Sequence, residues 1–126
     1  MKQDICNRQD IELLINSFYD DVKKDEIIGY IFNDIAKVDW QTHLPIMYDF
    51  WDNVIFYTAT YNRNPIQHHI QLNHKTPLTA EHFKRWLQLF THKVDDLFEG
   101  EKAELAKQRA LSIATMMQVK ILQAGV

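Results

Sequence analysis

Apolar residues return every third and fourth position along most of the chain, the spacing of a helix that buries one face. From about Gln9 to Lys24 this stripe is Ile11, Leu14, Ile15, Phe18 and Val22, with Tyr19 on its edge. Glu26 to Asp34 carries Ile27, Ile28, Ile31 and Phe32 and reads as a short helix or turn, because Gly29 weakens anything longer. Asp39 is placed to cap a helix from Trp40 to about Thr60, striped by Trp40, His43, Met47, Phe50, Trp51, Val54, Ile55 and Thr58. Pro45 falls in its second turn, lacks a backbone donor, and is expected to bend the helix or leave its beginning irregular.

Beyond the loop Tyr61-Asn62-Arg63-Asn64-Pro65, the pattern predicts a short segment from Ile66 to Leu72, and Asn73 to Pro77 breaks the chain again. Thr79 then caps a long helix reaching Phe98, whose inner stripe is Phe83, Trp86, Leu87, Phe90, Val94 and Leu97. Gly100 is expected to end it as a left-handed terminating residue. A last helix from Glu101 to about Gln123 turns Ala106, Ala110, Ile113, Ala114, Met117 and Ile121 to one side. Four substantial helices and two short ones predict an all-α fold, with residues 1–126 forming one domain.

Composition narrows the picture by exclusion. Seven Phe, five Tyr and three Trp are enough for a real core, so the chain is neither disordered nor dependent on staples. Three glycines, far apart, exclude a glycine-rich phosphate loop and a turn-rich sandwich or barrel. A formal net charge of −3 offers nothing to attract nucleic acid or an anionic membrane. No apolar run has the roughly 20 residues a membrane helix needs, Cys6 has no partner for an internal disulfide, and no apolar signal segment follows Met1 to Asp4. Together these predict a cytoplasmic protein.

Candidate chemistry centres on histidine and on aromatic residues with polar tips. His68 and His69 lie in a short segment bounded by breakers, and a neutral imidazole there is a ligand for a transition metal or haem iron. Neighbours on a helix point about 100° apart, so only one of them can face a shared pocket. The simpler reading leaves both in solvent. His43 shares a stripe with Trp40, Met47 and Phe50, while Tyr19 and Trp86 each need a partner for a polar tip when buried. Each taken singly is explained as core, and an all-helical interaction or regulatory module without haem stays open on these residues alone. No Cys-x-x-Cys and no repeated Glu-x-x-His pair points to zinc, iron–sulfur or di-iron sites. His82 and His92 fall on the polar side of their helix and read as solvated.

The order of these residues resembles a known family. Phe18-Tyr19, Ile31-Phe32, His43 followed by Phe50-Trp51, Tyr61-Asn62-x-x-Pro65 followed by His69, and His82-Phe83-x-x-Trp86-Leu87-x-Leu89-Phe90 are similar to the truncated haemoglobins, group III in particular. The likeness covers Ile11 to Met117, and the glycine pairs of the first group are missing. It implies a truncated globin-like two-over-two helical sandwich around haem b. By the same resemblance His69 is the proximal iron ligand, and Tyr19, His43 and Trp86 are the distal residues. Met47 lines the distal side, Phe32 packs on the haem face, and Phe50, Leu72 and Trp86 belong to the cofactor's surroundings.

The resemblance also implies dioxygen and other diatomic molecules, such as nitric oxide, as ligands. Dioxygen on haem iron carries partial superoxide character, so hydroxyl and indole donors aimed at it stabilise it by about 1.5–3 kcal/mol per charge-assisted bond. Tyr19 and Trp86 are such donors, and His43 either donates or swings aside as a gate. Tight binding of this kind suits redox chemistry with nitric oxide or peroxide, fed by an electron donor, better than oxygen transport.

Overall fold

The structure is a computed structural model that describes residues 2–35, 37–57 and 78–124, with side chains as far as residue 120. Its long elements are α1 (Arg8–Lys24), α2 (Trp40–Phe56), α3 (Ala80–Leu97) and α4 (Glu101–Ala124), with a π-helical turn, Ile31–Ile35, between the first two. No strand occurs among the described residues. The helices touch in a ring, α1 against α2 and α3, and α4 against α3 and α2. Two helix pairs therefore lie one on the other. None of the described helices is long and apolar enough to cross a membrane.

Each helix begins where local chemistry satisfies its first N–H groups. The Asn7 side chain accepts from the Asp10 N–H at 3.0 Å, and the Asp10 carboxylate accepts from the Cys6 N–H at 2.8 Å, so α1 starts one residue before the periodic stripe suggests. Thr79 caps α3 as expected, but through a reciprocal box: its hydroxyl accepts from the His82 N–H, and His82 Nδ1 accepts from the Thr79 N–H at 3.1 Å. His82 is thus engaged at the helix start and is not simply solvated. Asp39 stands at the start of α2 without capping a backbone group; its carboxylate accepts the Thr42 hydroxyl at 3.0 Å. The helix runs continuously past Pro45, whose exposed position leaves the carbonyl one turn back to water.

Helix ends depart further from expectation. The structure ends α2 at Phe56, where Tyr57 takes a left-handed conformation (φ 58°, ψ 41°); the expected last turn lies outside the described residues. Lys102 satisfies that end, donating to the Ile55 carbonyl at 3.4 Å with its ammonium 5.8 Å from the Phe56 ring centroid. Gly100 does not terminate α3, which stops at Leu97 as Phe98 becomes extended. Its role concerns α4: a Cβ on Gly100 would lie 2.5 Å from Cγ of Asp4. In the room left by that missing side chain, the Asp4 carboxylate accepts from the N–H groups of Lys102 (2.9 Å) and Ala103 (2.8 Å).

The core follows the stripes. Ile11, Leu14, Ile15, Phe18 and Val22 of α1 are buried against Trp51 and Ile55 of α2, Phe90 and Val94 of α3, and Ala103, Ala106 and Ala110 of α4. Small residues on α4 let its backbone approach its neighbours closely. Asp25 joins the turn after α1 to α3, accepting from the N–H groups of Ile27 and Ile28 and from Arg85 Nε at 2.8 Å. Arg8 bridges α1 to α2 through Asp49 at 2.8 Å and Asp52 at 3.1 Å, and Tyr48 donates to Asn16 across the same pair.

Two carboxylates tie stability to pH. Burial pushes the carboxyls of Asp4 and Asp25 upward, but the donors around them, three backbone N–H groups for Asp4 and Arg85 with two N–H groups for Asp25, bring both below the ordinary 3.8. A depressed folded value means that the stabilisation is complete above about 3.9 and disappears as pH falls through the folded values. Replacing Asp4 by Ala is therefore expected to cost about 1–2 kcal/mol at neutral pH. Acid unfolding of that variant should depend less steeply on pH than in the parent chain. Urea melts at pH 7 and pH 3 measure both effects.

Candidate functional site

Tyr19, on the edge of the α1 stripe, is only 5% exposed and sits at the centre of an aromatic cluster. Its ring lies 4.8 Å from Phe18, 6.0 Å from Phe32, 5.1 Å from Trp40 and 5.6 Å from His43, centroid to centroid. Burial pushes its phenol well above the ordinary 10.0, so the hydroxyl stays protonated and remains a donor. Among the described residues that hydroxyl makes no hydrogen bond. His43, one turn into α2, is half-buried with Nε2 buried, its imidazole set edge-on to both Tyr19 (78°) and Trp40 (83°).

Trp86 comes from the other helix pair. It meets the edge of Phe18 at 5.8 Å and stacks on Phe90 at 5.8 Å and 11°. Phe18 thus touches both Tyr19 and Trp86. Phe90 in turn stacks on Trp51 at 4.6 Å, closing the floor of the cluster. Met47 and Phe50 continue the face of α2 that begins with Trp40 and His43; both are half-buried against the core. Phe32, in the π-helical turn, stacks on Trp40 at 6.1 Å and 23°. The structure therefore gathers Tyr19, His43 and Phe32 in one place, while Trp86 joins them through Phe18 rather than by a ring contact of its own with Tyr19 among the described residues. His68, His69 and Leu72 lie outside the described residues.

Trp40 and Lys23 are among the residues here that the sequence did not single out as site residues. Trp40 is a stripe position in the sequence, and the Lys23-Lys24 pair reads there as ordinary exposed helix surface, yet the Lys23 ammonium lies 4.5 Å from the Trp40 ring centroid. The available signal was spacing: Trp40 is three residues from His43, and Lys23 is four from Tyr19, so each shares a helical face with a candidate residue.

No family model matches the chain. The group 3 truncated hemoglobin ctb of Campylobacter jejuni is 30% identical to it over 128 residues, covering 99% of this chain and 98% of that one. The chain belongs to the group III truncated haemoglobins. A crystal structure of a group III truncated hemoglobin from Campylobacter jejuni agrees with the fold at a TM-score of 0.80 and 31% identity, covering 94% of this chain and 93% of that one. The two stacked helix pairs are thus the two-over-two sandwich of this family.

Membership of the family implies a haem cofactor, and the residues of this globin fit one. The α2 face made by Leu44, Met47, Phe50 and Val54 is apolar and half-buried, as a flat hydrophobic macrocycle requires. No polar or charged residue is fully buried among the described residues, so no fixed charge opposes such a ring. The polar groups of the cluster are the Tyr19 hydroxyl, the His43 imidazole, the indole N–H groups of Trp40 and Trp86, and the Lys23 ammonium over the Trp40 ring.

The burial of Tyr19 is testable by itself. Ultraviolet titration of the folded globin should show no ionisation of Tyr19 near the ordinary 10.0. The curves of the parent and Tyr19→Phe should therefore coincide until the fold is lost, whereas a clear loss of signal in the variant near that pH would place the hydroxyl in water.

Proposed function

We propose that this globin binds haem b and uses Tyr19, Trp86 and His43 to hold dioxygen or another diatomic ligand, such as nitric oxide, on the distal side. The Tyr19 hydroxyl beside His43 carries this reading, since burial of the phenol keeps it protonated and therefore able to donate to a ligand. His69 is assigned as the iron ligand on the family resemblance. Phe32, Met47, Phe50, Leu72 and Trp86 would pack the macrocycle. When bound, the haem would supply an iron atom able to bind a small diatomic ligand.

The chain's own residues then decide how long a ligand stays. Tyr19 donates through its hydroxyl and Trp86 through its indole N–H, which has no acceptor function. The rings of Phe18, Phe32 and Trp40 surround Tyr19 with apolar surface, so a bond from its hydroxyl is stronger than it would be in water. His43 stands edge-on beside Tyr19, in a place to donate as well or to limit access. Two or three donors favour slow release. Slow release fits redox chemistry with nitric oxide or peroxide, supplied with electrons by a donor, better than oxygen delivery. The net charge of −3 and the lone Cys6 suit work in the cytoplasm without nucleic acid or membrane partners.

The optical spectrum of the purified protein is the first test, with a strong Soret band expected. A colourless chain that cannot be reconstituted with haem would favour the haem-free interaction module. His69→Ala should abolish stable five-coordinate ferrous haem unless imidazole is added, while His68→Ala should leave the spectrum nearly unchanged. Tyr19→Phe and Trp86→Phe should each speed oxygen dissociation, by about tenfold for every 1.4 kcal/mol of hydrogen bonding removed. Unchanged rates in both variants would eliminate the polar distal network.

A further inference from the structure

We propose that Trp40 is a positioning residue that latches His43 inward against Tyr19, and that the Lys23 ammonium clamps the indole in place. The inference rests on the distal-pocket reading above and assigns the element that keeps its histidine in the inner position.

The geometry is that of two meshed helix faces. Tyr19 and Lys23 are one turn apart on α1, and Trp40 and His43 are one turn apart at the start of α2. The indole of Trp40 fits between these pairs. It is tilted at 53° on Tyr19 at 5.1 Å, meets His43 at 5.7 Å and 83°, and stacks on Phe32 at 6.1 Å. The Lys23 ammonium stands 4.5 Å from the ring centroid, attracted to the electron-rich face. Lys23 is itself placed from two sides: its carbonyl accepts from Asn33 Nδ2 at 2.9 Å, and Asp20 lies 3.9 Å from its ammonium. His43 is consequently walled by two rings, Tyr19 and Trp40. Without the indole one of those walls is gone, and rotation of the imidazole away from Tyr19 is no longer blocked on that side.

A latch governs admission of the ligand more than its release. In Trp40→Leu, carbon monoxide association measured after flash photolysis should accelerate by about threefold to tenfold, the range that loss of an aromatic contact spans. Nuclear magnetic resonance of the protein as purified should show the cross-relaxation between the ring protons of His43 and those of Tyr19 weakening as the imidazole turns away. Trp40→Phe, which keeps an aromatic wall, should restore both readouts. Lys23→Met should accelerate association by about twofold to fivefold through loss of the cation–π contact alone. Should Trp40→Leu fail to fold, Lys23→Met decides.

A merely structural role for Trp40 would lower the melting temperature of Trp40→Leu but leave association and the His43–Tyr19 cross-relaxation at parent values in the folded fraction. That outcome, or unchanged association in Lys23→Met, overturns the proposal. A parent chain that takes up no haem would end the haem-globin reading; the His43–Tyr19 cross-relaxation of the same preparations still decides whether Trp40 holds that residue.

Discussion

Phe18 is the contact on which the arrangement depends. Its ring is 1% exposed and meets Tyr19, Trp86 and Phe90 at once, so one side chain of α1 joins the α1–α2 pair to α3. Edge-to-face aromatic pairs contribute about 0.5–1.5 kcal/mol beyond the area they bury. The geometric effect exceeds the energetic one. A ring held edge-on by two neighbours has little freedom to rotate, so Tyr19 and Trp86 are fixed relative to each other although they stand on different helices.

Around that contact the fold separates apolar packing from polar function. Core positions are Ile, Leu, Val, Phe and Ala, while hydroxyl, imidazole and indole groups are brought in only as the tips of otherwise aromatic side chains. A buried phenol that stays protonated brings a donor into the cluster without adding charge, which aromatic surroundings would resist. The same economy explains the position of Lys23. Its charge remains at the rim with the side chain about one-third exposed, and acts on the pocket through the face of Trp40.

Helix termini supply the remaining long-range ties. Asp4 closes the start of α4, Lys102 the end of α2, and Asp25 with Arg85 links the turn after α1 to α3. Each uses N–H or C=O groups that a helix leaves unsatisfied, so a local necessity becomes a tertiary restraint. The half-buried ion pair of Lys93 with Asp21 at 3.1 Å adds orientation between α3 and α1.

The helices were legible in the sequence because burial of one face imposes a periodicity that survives without knowledge of the partner. Ile11, Leu14, Ile15, Phe18 and Val22 announce their helix and its inner face, and Thr79 announces the start of another by its capping chemistry. The family resemblance selected Tyr19, His43 and Trp86 from several aromatic and histidine candidates whose spacing alone suited an ordinary core. Pairing between elements left no such mark. Asp4 lies 98 residues from the Lys102 N–H it satisfies, and Asp25 lies 60 from Arg85; neither carboxylate differs locally from a solvated one. Trp40 and Lys23 likewise read as core stripe and surface charge until two helix faces mesh and place an ammonium over an indole. Periodicity is a property of one helix in water, whereas a site is a property of which helices meet, and only the tertiary structure decides that.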